Sequence, residues 1–121
     1  MKKILIIEDN QINMEVAADM LGKAGYKVLK AYDAMSGIKQ ANHEKPDLIL
    51  MDVRLPQING LEAAHILKEE EKTQDIKIVA LTACAMPGDK ETILKHCDGY
   101  IAKPIHFKSF LEAVESYLSP H

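Results

Sequence analysis

A chain of 121 residues, 47% apolar and 27% charged, has the size and composition of one soluble globular domain with a substantial core. Its net charge of -3, with lysines interspersed among acidic residues, leaves no basic stripe to neutralise phosphates, which argues against nucleic-acid binding. No apolar run approaches the ~20 residues of a membrane helix. "MKK" leads straight into a strand-like run with no small-residue cleavage site behind it, so no signal peptide is expected.

Five short apolar segments, 3–7, 26–30, 47–51, 77–81 and 98–102, alternate with segments of helical spacing. After the first strand, Ile12, Val16, Met20 and Ala24 share one predicted helix face, which closes at the C-terminal glycine Gly25. Ala34, Ile38 and Ala41 carry a second helix over 34–44. A third begins near Asn59-Gly60, with Leu61, Ala64 and Leu67 facing inward and "EEEK" left to solvent. The fourth, about 88–96, offers Ile93 and Leu94 among Asp89, Lys90, Glu91 and Lys95. It reads equally as a mobile element beside a functional edge and as a short surface helix. In the last, Phe107, Phe110, Leu111, Val114 and Leu118 form a stripe at helical spacing.

Strands alternating with helices of this length predict an α/β fold, a parallel sheet covered on both faces. Runs such as "LILM" and "IVAL" suit strands buried on both sides. No linker, repeat or low-complexity stretch interrupts the chain, so a single domain over 1–121 is expected. Cys84 and Cys97 have neither metal-ligand spacing nor a disulfide framework, and read as free buried thiols of a reducing cytosol. His43, His65, His96 and His106 lie within the predicted fold, His121 at its end, and no two of them stand at i,i+4. That spacing argues against a His-based metal site.

The polar residues at the strand ends carry the chemistry. Glu8 and Asp9 follow "ILII", Asp52 follows "LILM", Thr82 follows "IVAL" and Lys103 follows "YIA". Parallel strands gather their C-termini along one edge, where such folds bind ligands. Three carboxylates brought together there would raise one another's pKa unless a cation intervenes. Hard oxygen donors with room for water suit Mg²⁺. On this reading Asp9 and Asp52 are direct ligands, Glu8 acts through water, and the Arg54 backbone carbonyl fills a further position. Asp52 keeps one oxygen free as a nucleophile toward phosphorus, with Lys103 and the Thr82 hydroxyl pairing with phosphoryl oxygens.

The segments "ILIIEDN", "PDLILMDVRLPQINGLE", "IVALTA" and "GYIAKPI" resemble, over the full length, the receiver domain of two-component response regulators. The resemblance implies a doubly wound, flavodoxin-like (βα)5 sandwich with strand order 2-1-3-4-5. It makes Asp52 the phosphoacceptor, Glu8 and Asp9 the acidic pair, Thr82 the switch hydroxyl and Tyr100 the switch aromatic. Lys103 becomes the active-site lysine, joined to Pro104 by a cis peptide, and Mg²⁺ the cofactor, with Mn²⁺ as substitute. The implied partners are a histidine kinase or histidine phosphotransfer protein as donor, and a downstream regulatory protein on the face of helix 4, strand 5 and helix 5. Nucleic acid and membrane are not among them, and the location is cytoplasmic.

"EDNQIN" and "LTACAMPGDKE" are most similar to single-domain cell-division regulators, and also to receivers embedded in hybrid histidine kinases. The "MKK" start and "SPH" end favour a free-standing protein over an excised receiver. Glu8 replaces the commoner Asp, which leaves metal binding intact. Arg54 and Cys84 stand where residues shape water access to the phosphoryl group, and so bear on its lifetime. The rival enzymatic reading, a Mg²⁺-dependent phosphohydrolase with an Asp nucleophile, needs a second acid two residues on. Arg54 stands there, so general acid catalysis has no agent. A binding module that has lost phosphorylation is the other rival, and the complete set of site residues argues against it.

Overall fold

A computed structural model describes residues 1–55, 59–83 and 88–119. In chain order the elements are β1 (Lys3–Ile7), α1 (Gln11–Lys23), β2 (Lys27–Ala31), α2 (Ala34–Glu44), β3 (Leu48–Asp52), α3 (Gly60–Glu69), β4 (Lys77–Thr82), α4 (Asp89–His96), β5 (Gly99–Ala102) and α5 (Phe107–Leu118). The five strands are parallel in the order β2-β1-β3-β4-β5, the flavodoxin-like α/β arrangement expected from the sequence. Several strand bounds shift by one residue from the expected ones, as apolar runs locate strands better than their ends.

Alternation along the strands divides the core in two. Leu5, Ile7, Ile49, Met51, Ile78 and Ala80 face α2, α3 and α4. Ile4, Ile6, Leu48, Leu50, Val79 and Leu81 face α1 and α5, where Phe110 and Val114 close the second layer. Both faces of the three inner strands are thereby dry, which is why their sequences run apolar without a break.

Local chemistry starts and stops the helices. Asn10, Asp33 and Asn59 cap α1, α2 and α3, each side-chain oxygen accepting a backbone N–H three residues on. At the end of α1, Gly25 adopts φ +94°, and the N–H groups of Tyr26 and Gly25 donate to the carbonyls of Leu21 and Gly22. This paired closure satisfies two terminal carbonyls and turns the chain into β2.

Two predicted faces are corrected. On α1 the buried residues are Met14, Ala17 and Leu21, while Ile12 is 72% and Val16 41% exposed. The helix carries two apolar stripes, and the sheet takes the one with the small Ala17, which allows close approach. On α5, Phe110 and Val114 are buried but Phe107, in the first turn, stands exposed. α4 is anchored by Ile93, with Leu94 exposed, and its N-cap Gly88 supplies no side-chain hydrogen bond.

Candidate functional site

The C-terminal edge of the sheet gathers the strand-end residues, and the register determines which of them meet. Ile7 pairs with Met51 and Asp52 with Leu81, so Glu8, one residue beyond β1, comes level with Asp52. Carboxylate oxygens of Glu8, Asp9 and Asp52 all lie within 4.8 Å of one another. Glu8 and Asp52 are buried and Asp9 is exposed, so the cluster opens to solvent on the Asp9 side.

Lys103, just beyond the edge strand β5, offsets this charge. Its Nζ donates to Glu8 Oε1 at 2.7 Å and to Asp52 Oδ2 at 3.2 Å. The lysine is positioned by its own backbone N–H, which donates to the Thr82 carbonyl at 2.8 Å. The peptide that follows, Lys103–Pro104, is cis. The second oxygen of Glu8 accepts the Asn10 N–H at 3.2 Å, and Asp52 Oδ1 accepts the Arg54 N–H at 2.9 Å. The cap of α1 and the turn after β3 are thus tied to the carboxylates they flank.

These contacts pull in opposite directions. Burial pushes the Glu8 carboxyl above its ordinary range, Lys103 and the Asn10 N–H oppose that, and neighbouring Asp52 adds to it. Burial works to lower the Lys103 pKa, but its contacts with Glu8 and Asp52 outweigh this and hold the ammonium above its usual value. Excess negative charge in a half-dry site is what a divalent cation relieves. The donors are hard oxygens, one of them on an exposed residue, which fits Mg²⁺.

Thr82 and Tyr100 belong to the other face of the sheet. Thr82 pairs with Ala102 and Ala80 with Tyr100, so the two side chains stand diagonally on the α3/α4 side. Thr82 is buried; Tyr100 is half-buried against that core layer, with Lys90 Nζ 5.5 Å from its ring centroid. Of the two cysteines, Cys97 is buried and its thiol is pushed up to about 11, first by burial and then by Asp98. Cys84 lies outside the described residues, as does His121.

One residue of the site is not apparent from sequence reasoning. A side chain at Gly60 would meet the backbone of Asp52 and Val53, with the Val53 Cα at 2.8 Å from an ideal Cβ. Gly60 also donates its N–H to the Val53 carbonyl at 2.8 Å. Its absent side chain lets the N-terminus of α3 seat directly on the strand end that carries Asp52. The Asn59-Gly60 pair signals a helix start, but the close approach becomes visible only in three dimensions. Beside Glu8 and Lys103 a cleft of about 440 Å³ opens between α1 and the β5–α5 connection, walled by Val16, Ala17, Pro104 and Ile105.

The profile of the response regulator receiver domain matches residues 4–115. The polar-differentiation response regulator DivK of Brucella anthropi is 39% identical over 118 residues, 97% of this chain and 96% of its own. DivK of Brucella ovis is 40% identical over the same share of each chain. The receiver domain of the sensor histidine kinase PA1611 from Pseudomonas aeruginosa PAO1, whose crystal structure has a magnesium ion coordinated in the active-site cleft, superposes with a TM-score of 0.89. It is 33% identical, covering 97% of both chains. A CheY-like receiver protein from Methanospirillum hungatei JF-1 superposes with a TM-score of 0.89 at 27% identity, over 98% of this chain and 94% of its own. Strand order, acidic edge and full-length similarity agree: the chain belongs to the response regulator receiver domain family, whose members are phosphoacceptor signalling modules rather than conventional enzymes.

Proposed function

We propose that residues 1–121 form a single receiver domain that accepts a phosphoryl group from a phosphohistidine onto Asp52 and signals through protein–protein contacts. The observation that carries this reading is the convergence of Glu8, Asp9 and Asp52 with the Lys103 ammonium, which touches two of the three. An Asp52 carboxylate oxygen attacks phosphorus, the P–N bond to the donor imidazole breaks, and the electron pair returns to the ring. Lys103, held charged by its neighbours, exchanges its Asp52 contact for a phosphoryl oxygen. Mg²⁺, held by Asp9 and Asp52 with Glu8 and the Arg54 carbonyl in support, supplies charge neutralisation at the phosphoryl group.

Readout passes through the sheet. Thr82 turns its hydroxyl toward the phosphoryl oxygens, and Tyr100, its diagonal neighbour on β5, responds by packing inward. The surface of α4, β5 and α5 is thereby offered in a different form to a downstream regulatory protein. Phosphorylation need only favour one of two conformers by a few kcal/mol, about 1.4 kcal/mol for each tenfold change in their ratio. The donor is a histidine kinase or histidine phosphotransfer protein, and the cleft walled by Val16, Pro104 and Ile105 gives its helices an apolar seat beside Asp52's partners. The likeness to DivK supports a role in cell-cycle or polarity control in the cytoplasm. Among the described residues no helix is long and apolar enough to cross a membrane.

The test is intact mass after incubation with Mg²⁺ and acetyl phosphate, with Asp52→Asn and an EDTA control alongside. A metal-dependent gain of one phosphoryl group, absent in the variant, is the expected result. Phosphorylation that survives in Asp52→Asn at the wild-type rate would refute the assignment.

A further inference from the structure

At the end of β3, two successive peptide groups are gripped by neighbouring elements. In the first, between Asp52 and Val53, the N–H donates to the Leu81 carbonyl on β4 at 3.4 Å. In the second, between Val53 and Arg54, the carbonyl accepts the Gly60 N–H at 2.8 Å, and the N–H donates to Asp52 Oδ1 at 2.9 Å. Gly60 is the buried first residue of α3. The other carboxylate oxygen, Asp52 Oδ2, accepts from Lys103 at 3.2 Å. One oxygen of Asp52 is thus held by an ammonium on a flexible stem, the other by a backbone group that α3 itself holds in place.

A trans peptide group is planar and stiff, with its N–H and carbonyl directed to opposite sides. Turning the Val53–Arg54 group to ease one of its two hydrogen bonds misaligns the other. It therefore couples the seat of α3 to the plane of the Asp52 carboxylate. The coupling has no slack. A Cβ on residue 60 would stand 2.8 Å from the Val53 Cα and closer still to the Asp52 carbonyl oxygen. Non-bonded carbons need about 3.5 Å, so helix and strand end would have to part by about 0.7 Å. Added to the Gly60–Val53 bond, that displacement exceeds the hydrogen-bonding range of about 3.2 Å, unless the peptide follows the helix and leaves Asp52 Oδ1.

We infer that Gly60 is a positioning residue for phosphoryl transfer: through the Val53–Arg54 peptide it fixes the Asp52 carboxylate, so that the oxygen released by Lys103 is already aimed at phosphorus. The inference rests on Asp52 as the phosphoacceptor. Gly60 itself touches no reacting atom, and its effect falls on orientation, where displacements below 1 Å are felt in rate.

The experiment compares wild type, Gly60→Ala, Asn59→Ala and Val114→Ala, each checked for folding by circular dichroism. Asn59→Ala keeps the Gly60 N–H but removes the cap that holds the first turn of α3. Val114→Ala loosens the core on the opposite face of the sheet. Intact mass over a series of acetyl phosphate concentrations, in excess Mg²⁺, gives the limiting rate constant and the half-saturating concentration. Amide hydrogen exchange followed by NMR, without phosphodonor, reads the Arg54 N–H directly. In Gly60→Ala the limiting rate should fall at least about tenfold with half-saturation within about twofold, and Arg54 protection should be lost. Asn59→Ala should show the same pattern at about threefold, and stands alone if Gly60→Ala does not fold. Val114→Ala should keep wild-type values in both measurements. A wild-type limiting rate or intact Arg54 protection in the folded α3 variants, or an equal loss in Val114→Ala, overturns the positioning role and leaves Asp52 as acceptor. A wild type that takes up no phosphoryl group overturns both.

Discussion

Lys103→Met removes an ammonium that touches both buried carboxylates while keeping most of the stem's apolar volume. The side chains of Glu8, Asp52 and Lys103 are 2%, 11% and 20% exposed, so the carboxylates left behind gain little from solvent. Breaking a buried pair costs about 3–5 kcal/mol. The exposed Asp9 side of this cluster admits water, which lowers the expected loss to about 2–3 kcal/mol at pH 7.5 without metal. Acidification should repair it. Glu8, already raised by burial, rises further once Lys103 is gone, so the folded variant binds a proton there that the unfolded chain binds only near ~4.3. A carboxyl raised in the folded state destabilises above its folded pKa, and the penalty vanishes as pH falls toward the unfolded value. The deficit should shrink by up to about 1.4 kcal/mol per pH unit across that window. Urea unfolding of both proteins at pH 7.5 and pH 5 measures it. A deficit equal at the two values, or none at pH 7.5, refutes the electrostatic account of this site.

Other expected outcomes follow from single contacts. In the wild type, the Lys103 contribution is complete below the usual value of 10.5 and is lost as pH rises through the higher folded value, so alkaline titration should destabilise wild type more than Lys103→Met. Mg²⁺ at ten times its Kd should stabilise the folded chain by about 1.4 kcal/mol, and Asp9→Asn should weaken that binding by more than about tenfold, both readable by thermal melts. Gly60→Ala drives a methyl group into the Asp52–Val53 backbone and should cost about 2–3 kcal/mol in urea denaturation, whereas a loss below about 0.5 kcal/mol would show that α3 can shift freely. Alkylation of Cys97 by iodoacetamide at pH 7.5, followed by peptide mass, should be slow in the folded chain and fast in urea, because the thiol is buried and protonated. Rapid native labelling would contradict its burial.

The strands were legible because the inner ones are dry on both faces, a condition that only an unbroken apolar run satisfies. The residues that gather at the acidic edge were legible for a related reason. Glu8, Asp52, Thr82 and Lys103 interrupt such runs at the edge where parallel strands end together, and the family motifs point to the same residues. The faces of α1 and α5 were not legible. Ile12 and Val16 are as apolar as Met14 and Leu21, and the choice between stripes is made by close packing at Ala17, which periodicity does not encode. The direct Glu8–Lys103 pair was hidden by a separation of 95 residues, and the role of Gly60 by the fact that what matters there is a missing atom.

The Glu8–Lys103 contact joins the inner strand β1 to the last strand, β5, with β3 and β4 lying between them. A growing chain therefore presents its acidic residues long before the cation that offsets them exists. Until residue 103 has been synthesised and β5 has docked, Glu8 lacks its counter-charge, and closing the sheet around it is opposed. Docking of the last strand thus completes the charge balance of the acidic edge, which a partial sheet lacks.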